Sequence, residues 1–249
     1  MEKKLGSNFS FYFSTLKVQK ILYPKNMKEQ IIHFLSELKE NNNRDWFLGH
    51  KTAYDKVRAE FLLTVDQLIL LLAKSNPAYA QLKAKDTVFR INRDIRFSKD
   101  KSPYKTQFGA YLAAGGRKSP LGGHYLHVEP GNCFLAGGVY CPTPENLKAL
   151  RSEIYFNLPG FEQIVKTPDF IQLFGEIQGD KLKKPPVGFP KDFEGIDYLK
   201  FKDYTLIHRI QEEEFYAPDF LEKAVVVFEA MNPFNQFLNQ GMANKPDAL

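Results

Sequence analysis

Apolar residues recur at helical spacing from Met27 onward, and their period changes twice along the chain. Ile31, Ile32, Phe34, Leu35 and Leu38 predict a first helix, closed by the cap- and turn-forming run Lys39-Glu40-Asn41-Asn42-Asn43. Phe47, Tyr54, Val57, Phe61, Leu62, Val65, Leu68, Ile69 and Leu72 make one broad stripe, predicting a single helix from Asn43 or Asp45 to about Lys74. Pro77 stops it by biasing Asn76 away from helix. The pattern then shifts to alternation, predicting strands over 86–92, 105–114, 125–129 and 133–140. Gly115-Gly116, Gly122-Gly123 and Pro130-Gly131 supply the short turns that join antiparallel neighbours. Thr143-Pro144 opens a helix expected over 144–157, 181–190 reads as a basic proline-rich loop, 204–212 as a further strand, and 218–239 as one terminal helix.

Two amphipathic helices need a surface to cover, and a meander supplies one. The fold class expected is therefore α+β, an antiparallel sheet (meander) covered on one face by amphipathic helices, with 27–249 as a single domain. Residues 1–26 mix Phe9, Phe11, Tyr12 and Phe13 with Ser, Asn and Lys without a clean period. Lys17 and Lys20 stand where a signal peptide would place its small-residue cleavage site, so this stretch reads as a leader, a poorly ordered upstream-start extension. The 249 residues are 43% hydrophobic and 25% charged, an ordinary globular balance, and no apolar run approaches the roughly 20 residues of a bilayer span.

Charge changes the picture by its location. Residues 83–118 hold ten basic side chains against Asp86, Asp94 and Asp100, a local +7 in a chain whose total is +5. Such a distribution favours a local anion-binding feature over a generally polycationic surface. The densest part is Arg90 to Lys105, where Arg90, Arg93 and Arg96 alternate with apolar residues and Lys99, Lys101 and Lys105 follow. Guanidinium forks suit phosphate or carboxylate. The candidate ligand-binding set is therefore Arg90, Arg93, Arg96, Lys99, Lys101 and Lys105, with Asp94 or Asp100 orienting an arginine or acting as a base. The alternative is structural: Arg93 pairs with Asp94, Asp100 or a distant glutamate and the lysines are solvated. Both readings stand at this point. A nucleic-acid surface needs exposed aromatics between its cations; Phe97 and Tyr104 are the candidates, each expected in the core.

Three motifs together resemble a known family: Asn41-Asn42-Asn43-Arg44-Asp45-Trp46-Phe47; Arg93-Asp94-Ile95-Arg96-Phe97-Ser98-Lys99-Asp100-Lys101-Ser102-Pro103-Tyr104-Lys105; and Gly137-Gly138-Val139-Tyr140 before a helix. The chain is similar to the domain-of-unknown-function family 2461, conserved hypothetical proteins of bacteria and fungi, from about Met27 to the C-terminal helix. The resemblance implies a start near Met27 and carries no catalytic residue, cofactor or substrate.

Other chemistry is thin. On a strand His127 and Glu129 share a face while His124 points away, and one His–Glu pair falls short of the third ligand of a catalytic zinc. No metal and no cofactor are expected. Cys133 and Cys141 are roughly 25 Å apart if extended and are read as reduced and buried in a cytoplasmic protein. Neither a Gly-x-Ser-x-Gly elbow nor a Walker loop occurs, and Gly115-Gly116-Arg117-Lys118 is a hairpin turn. Trp46 reads as packed, and Glu212-Glu213-Glu214 as either a strand end or a counter-charge to the arginines. Two functions follow. One is a protein, possible enzyme included, that binds a small phosphate- or carboxylate-bearing ligand. The alternative is a non-enzymatic interaction protein whose basic face meets nucleic acid or an acidic protein partner. Neither involves a membrane.

Overall fold

In the computed structural model, which describes residues 27–244, α1 (Met27–Glu40) buries Ile31, Ile32, Phe34, Leu35 and Leu38, the stripe its spacing demands. The predicted leader and the last five residues lie outside the described residues. The predicted helix over 43–74 is two helices, α2 (Arg44–Gly49) and α3 (Lys51–Leu72). Asn43 caps α2 by accepting from the Trp46 N–H at 2.9 Å. At its other end His50 leaves helical geometry (φ −107°, ψ 14°) and its ring Nδ1 bonds the Trp46 carbonyl at 2.8 Å. A local side-chain bond thus competes with the helix ladder, and a continuous apolar stripe conceals the break.

A short helix α4 (Ala84–Thr87) precedes the sheet: β1 (Phe108–Leu112), β2 (Gly123–Val128) and β3 (Cys133–Val139). Then come α5 (Pro144–Phe156), α6 (Leu158–Val165), α7 (Pro168–Phe174), α8 (Ile196–Leu199), β4 (Tyr204–Ile210), α9 (Glu212–Tyr216), α10 (Phe220–Ala230) and α11 (Asn232–Ala243). The sheet is an antiparallel meander in the order β1-β2-β3-β4, so the expected α+β class and topology are what the chain adopts. The stretch 86–92 is not a regular strand. α4 takes its start, and only isolated bridges, Val88 to Ala110 and Asn92 to Tyr104, tie the rest to neighbours.

Period two sorts the sheet into faces. Phe108, Leu126, Leu135, Tyr204 and Leu206 point into the core, each 3% exposed or less. The helices pack there: Phe61 of α3 meets Phe108 at 5.2 Å, and Phe228 of α10 meets His124 at 4.8 Å between ring centroids. α11 is fixed to the end of the sheet by two asparagines one turn apart. Asn235 accepts from the Gly138 N–H (2.7 Å) and donates to the Gly123 carbonyl (3.1 Å), while Asn239 does the same to Gly122 (2.7 and 3.0 Å). Gly138 has φ +103°, a conformation that L side chains rarely adopt.

The predicted terminal helix over 218–239 is two, because Pro233 lacks an N–H for the ladder and starts α11 afresh. The acidic run is likewise neither a strand end nor a counter-charge to the arginines. Glu212-Glu213-Glu214 forms the first turn of α9, with Glu214 closing a capping box on Gln211 and Glu212 bonding the Gly131 N–H. No described helix is long and apolar enough to cross a membrane.

Candidate functional site

The basic segment divides in two. In its loop half the two arginines are answered by carboxylates of the loop itself. Arg93 donates to Asp100 (2.5 Å), to the Ser102 carbonyl (3.1 Å) and to Ser98 Oγ (3.4 Å). Arg96 is forked onto Asp94 at 2.9 and 2.6 Å, and Lys101 donates to the Ile95 carbonyl at 3.0 Å. The Ser102 hydroxyl and N–H, then Arg93, hold the Asp100 carboxyl down at about 2. These contacts tie the loop to itself. Tyr104 then docks it, exchanging bonds with the Asn42 side chain (3.0 and 3.1 Å) and stacking on Phe47 at 4.0 Å. The Asn-rich run and the long basic motif are thus in contact, and Trp46 packs between Phe34 and a stacked His50.

Phe97 is not core: it is 95% exposed, with the Arg96 guanidinium 5.9 Å from its ring centroid. It sits at the turn Ile95–Ser98, where the loop reverses, so its place between Arg96 and Ser98 says nothing about burial. Cys141 also departs from expectation. It is free and exposed, at φ +49°, its N–H bonded to Asp203, whereas Cys133 is buried.

The strand half of the basic segment is different. Among the described residues, neither Arg90 nor Lys105 is ion-paired. Lys105 lies with its Nζ 5.3 Å from the Phe89 ring centroid; burial and then the nearby Arg90 charge lower its pKa. Lys99 is solvent-exposed, away from any such pairing. Of the eight predicted residues the fold therefore brings Arg90 and Lys105 together, and engages Arg93, Arg96, Asp94, Asp100 and Lys101 in holding the loop.

Phe89 leads onto the second face of the sheet. Tyr125 and His127 of β2 point there, with Gly109 of β1 and Phe134 of β3 opposite His127, and Arg209 of β4 beyond Phe134. The ring contacts of Tyr125 and Phe134 stay within this face and Phe89, and both side chains are partly exposed. His127 stacks on Phe134 at 4.3 Å. Its Nδ1 meets the Tyr125 hydroxyl at 2.9 Å and its Nε2 meets Glu129 at 3.3 Å. Glu129 is itself held by Asn132 (3.0 Å) and Thr106 (3.1 Å), and Arg209 donates to Asn132 at 3.0 Å.

Burial alone would push the Glu129 carboxyl up; hydrogen bonds from Asn132, His127 and Thr106 outweigh it and hold it below its ordinary value. Glu129 is therefore ionised near neutral pH and only accepts. Burial lowers the His127 pKa against the opposing pull of Glu129, so the ring is neutral. A carboxylate at Nε2 requires that nitrogen to carry the proton, which leaves Nδ1 to accept from Tyr125. Burial, and then the Glu129 charge, raise the Tyr125 phenol. Tyr125, His127, Glu129 and Phe134 are absent from the set the sequence suggested. The i, i+2, i+4 alternation of Tyr125, His127 and Glu129 was legible, but whether a face is covered is decided by elements far away in sequence.

Among the described residues no three His, Cys, Asp or Glu side chains cluster as a metal site. The family model described as Conserved hypothetical protein (DUF2461) matches residues 30–237. No curated protein and no solved structure gives a significant match.

Proposed function

The chain belongs to the DUF2461 family of conserved hypothetical proteins, and from that premise we propose that it binds a small phosphate- or carboxylate-bearing ligand against the second face of its sheet. The observation that carries this reading is the unequal treatment of one cationic segment. Arg93 and Arg96 have carboxylates in direct contact, while among the described residues Lys105 has none and Arg90 feels Asp94 only at longer range; Arg90 and Lys105 are close enough to depress the Lys105 pKa. Two cations ~8 Å apart repel by ~2 kcal/mol at an effective dielectric of 20. A bound anion relieves that repulsion, and the partly exposed Phe89, Tyr125 and Phe134 offer a surface for the ligand's apolar part.

A second reading rests on Phe97, an exposed ring beside Arg96 with Lys99 near it in sequence. That arrangement suits a base stacked on an aromatic platform between phosphates. One experiment separates the two. A thermal-shift screen at low salt takes phosphate, sulfate, nucleotides, sugar phosphates, dicarboxylates and short oligonucleotides as ligands, against the wild type, Lys105→Met and Phe97→Ala. A small anion at 100 times its dissociation constant adds ~2.7 kcal/mol. The first reading expects that shift to vanish in Lys105→Met and survive Phe97→Ala. Stabilisation by oligonucleotides alone, lost in Phe97→Ala and falling steeply with salt, supports the second reading and sinks the first. No shift with any small anion also overturns the first.

A further inference from the structure

The second face holds more than a surface for an anion. Tyr125 Oη, His127 and Glu129 form a continuous hydroxyl–imidazole–carboxylate chain, at 2.9 and 3.3 Å, in which each group has one chemical role. The tautomer argued above makes the hydroxyl the donor, Nδ1 the acceptor and Glu129 the anion beside Nε2. Among the described residues nothing donates to Tyr125 Oη, so its lone pairs are unengaged. The carboxylate is fixed by two further side chains, Asn132 and Thr106, and the imidazole by its stack on Phe134. Gly109 matters too. A Cβ there would collide with the Tyr125 hydroxyl, so glycine, which weakens a strand interior, stands where that hydroxyl must lie over the sheet. Lys105 and Tyr125 both meet the Phe89 ring, at 5.3 and 6.3 Å from its centroid, so a single side chain separates the cation from the hydroxyl's ring.

We propose that Tyr125 is a catalytic nucleophile, with His127 as its base and Glu129 as a positioning residue, acting on an electrophilic ester that carries an anionic group. The ligand class rests on the anion-binding reading; the reactivity of Tyr125 does not. In the step, a Tyr125 Oη lone pair forms a bond to the electrophilic atom and the bond to the leaving group breaks with its electrons on that group. The phenolic proton passes to His127 Nδ1 and from there to the leaving group, so charge and protons balance. Glu129 stabilises the imidazolium formed in between. Burial disfavours a free phenolate, which is why the proton must leave during the attack and not before it.

The test uses 4-(fluorosulfonyl)benzoate and its neutral methyl ester as probes. Attack by a base-assisted phenol forms an S–O bond and expels fluoride, and mass spectrometry reads the modified tyrosine. Tyr140, 77% exposed, is the internal reference. The expected result is labelling of Tyr125 faster than of Tyr140, faster with the carboxylate probe than with its ester, and about a hundredfold slower in His127→Gln. Nitrogen NMR of the His127 ring is expected to show the Nε2-protonated tautomer in the wild type and its loss in Glu129→Leu, which removes the acceptor at Nε2; a carboxylate that did not position the ring would leave the tautomer unchanged. Tyr125 labelling no faster than Tyr140 with either probe, in the wild type, overturns the proposal whatever the variants do. Persistence of fast labelling in a folded His127→Gln overturns the role of the base. Equal rates for acid and ester leave the nucleophile standing and overturn the anion-binding reading instead.

Discussion

Lowering the pH from 7.5 to 4.5 obliges the unfolded chain, but not the folded one, to protonate His124. The ring is 1% exposed, its Nδ1 is 3.1 Å from the Tyr79 hydroxyl, and its Nε2 is buried with no hydrogen-bond partner among the described residues. Burial pulls its pKa down from 6.5 to about 4, and the nearby Phe228 carbonyl and Asn232 side chain oppose that only in part. Because the folded value is the lower one, the unfolded state binds more protons between the two values and stability rises with pH there. The contribution is complete above 6.5, declines as pH falls below it, and is gone below 4. Two and a half pKa steps at 1.36 kcal/mol each make about 3 kcal/mol in all, most of which falls between pH 7.5 and 4.5. That is a large share of the 5–15 kcal/mol typical of a folded domain. Urea unfolding at the two pH values, on the wild type and on Tyr79→Phe/His124→Phe, isolates it. The paired change removes both hydrogen-bonding partners at once, so no orphaned hydroxyl confuses the comparison. His127, also depressed by burial, contributes with the same sign to both proteins and cancels. The double variant is expected to lose about 2–3 kcal/mol less on acidification. Equal losses in the two proteins would refute the argument.

Gly138→Ala is expected to cost about 3 kcal/mol, because φ is +103° and the new Cβ meets the Tyr204 carbonyl; a urea midpoint near wild type would contradict it. The nearest atoms that Gly109→Ala meets are those at the movable end of the Tyr125 side chain. It should therefore shift stability by no more than about 1 kcal/mol while slowing Tyr125 labelling, and unchanged labelling would separate Gly109 from the hydroxyl's position. Arg93→Ala removes the bonds to Asp100, Ser98 and the Ser102 carbonyl. Amide exchange over 94–102 is expected to rise about tenfold with anion-dependent stabilisation retained; loss of that stabilisation would return Arg93 to the binding set.

The sequence by itself determined the elements whose causes are local. The stripe of α1, the Thr143-Pro144 start of α5, the hairpin-linked strands β1 to β3 and the cap at Asn43 each depend on residues close to one another in the chain, whereas the pairing of β4 with β3 spans about 65 residues and belongs to the tertiary structure. It also located the basic segment and, through three motifs, the family. Tertiary structure decided what those residues do. The long apolar stripes of α2–α3 and α10–α11 conceal breaks at His50 and Pro233, since burial continues across a break whenever both pieces cover the same core. Phe97 and Tyr104 share one motif, yet one is 95% exposed and the other 8%, because only Tyr104 meets Phe47 and Asn42. Arg93 and Lys105 look alike as cations. One finds Asp100 seven residues away, whereas the other lies beside Phe89 at the rim of a face that no sequence window defines. Tyr125, His127 and Glu129 carried a strand's alternation, but the packing of α3, α10 and α11 on the opposite face left theirs partly exposed, with His127 buried among its neighbours. That covering is made by contacts up to a hundred or so residues apart in the chain, which local periodicity cannot register.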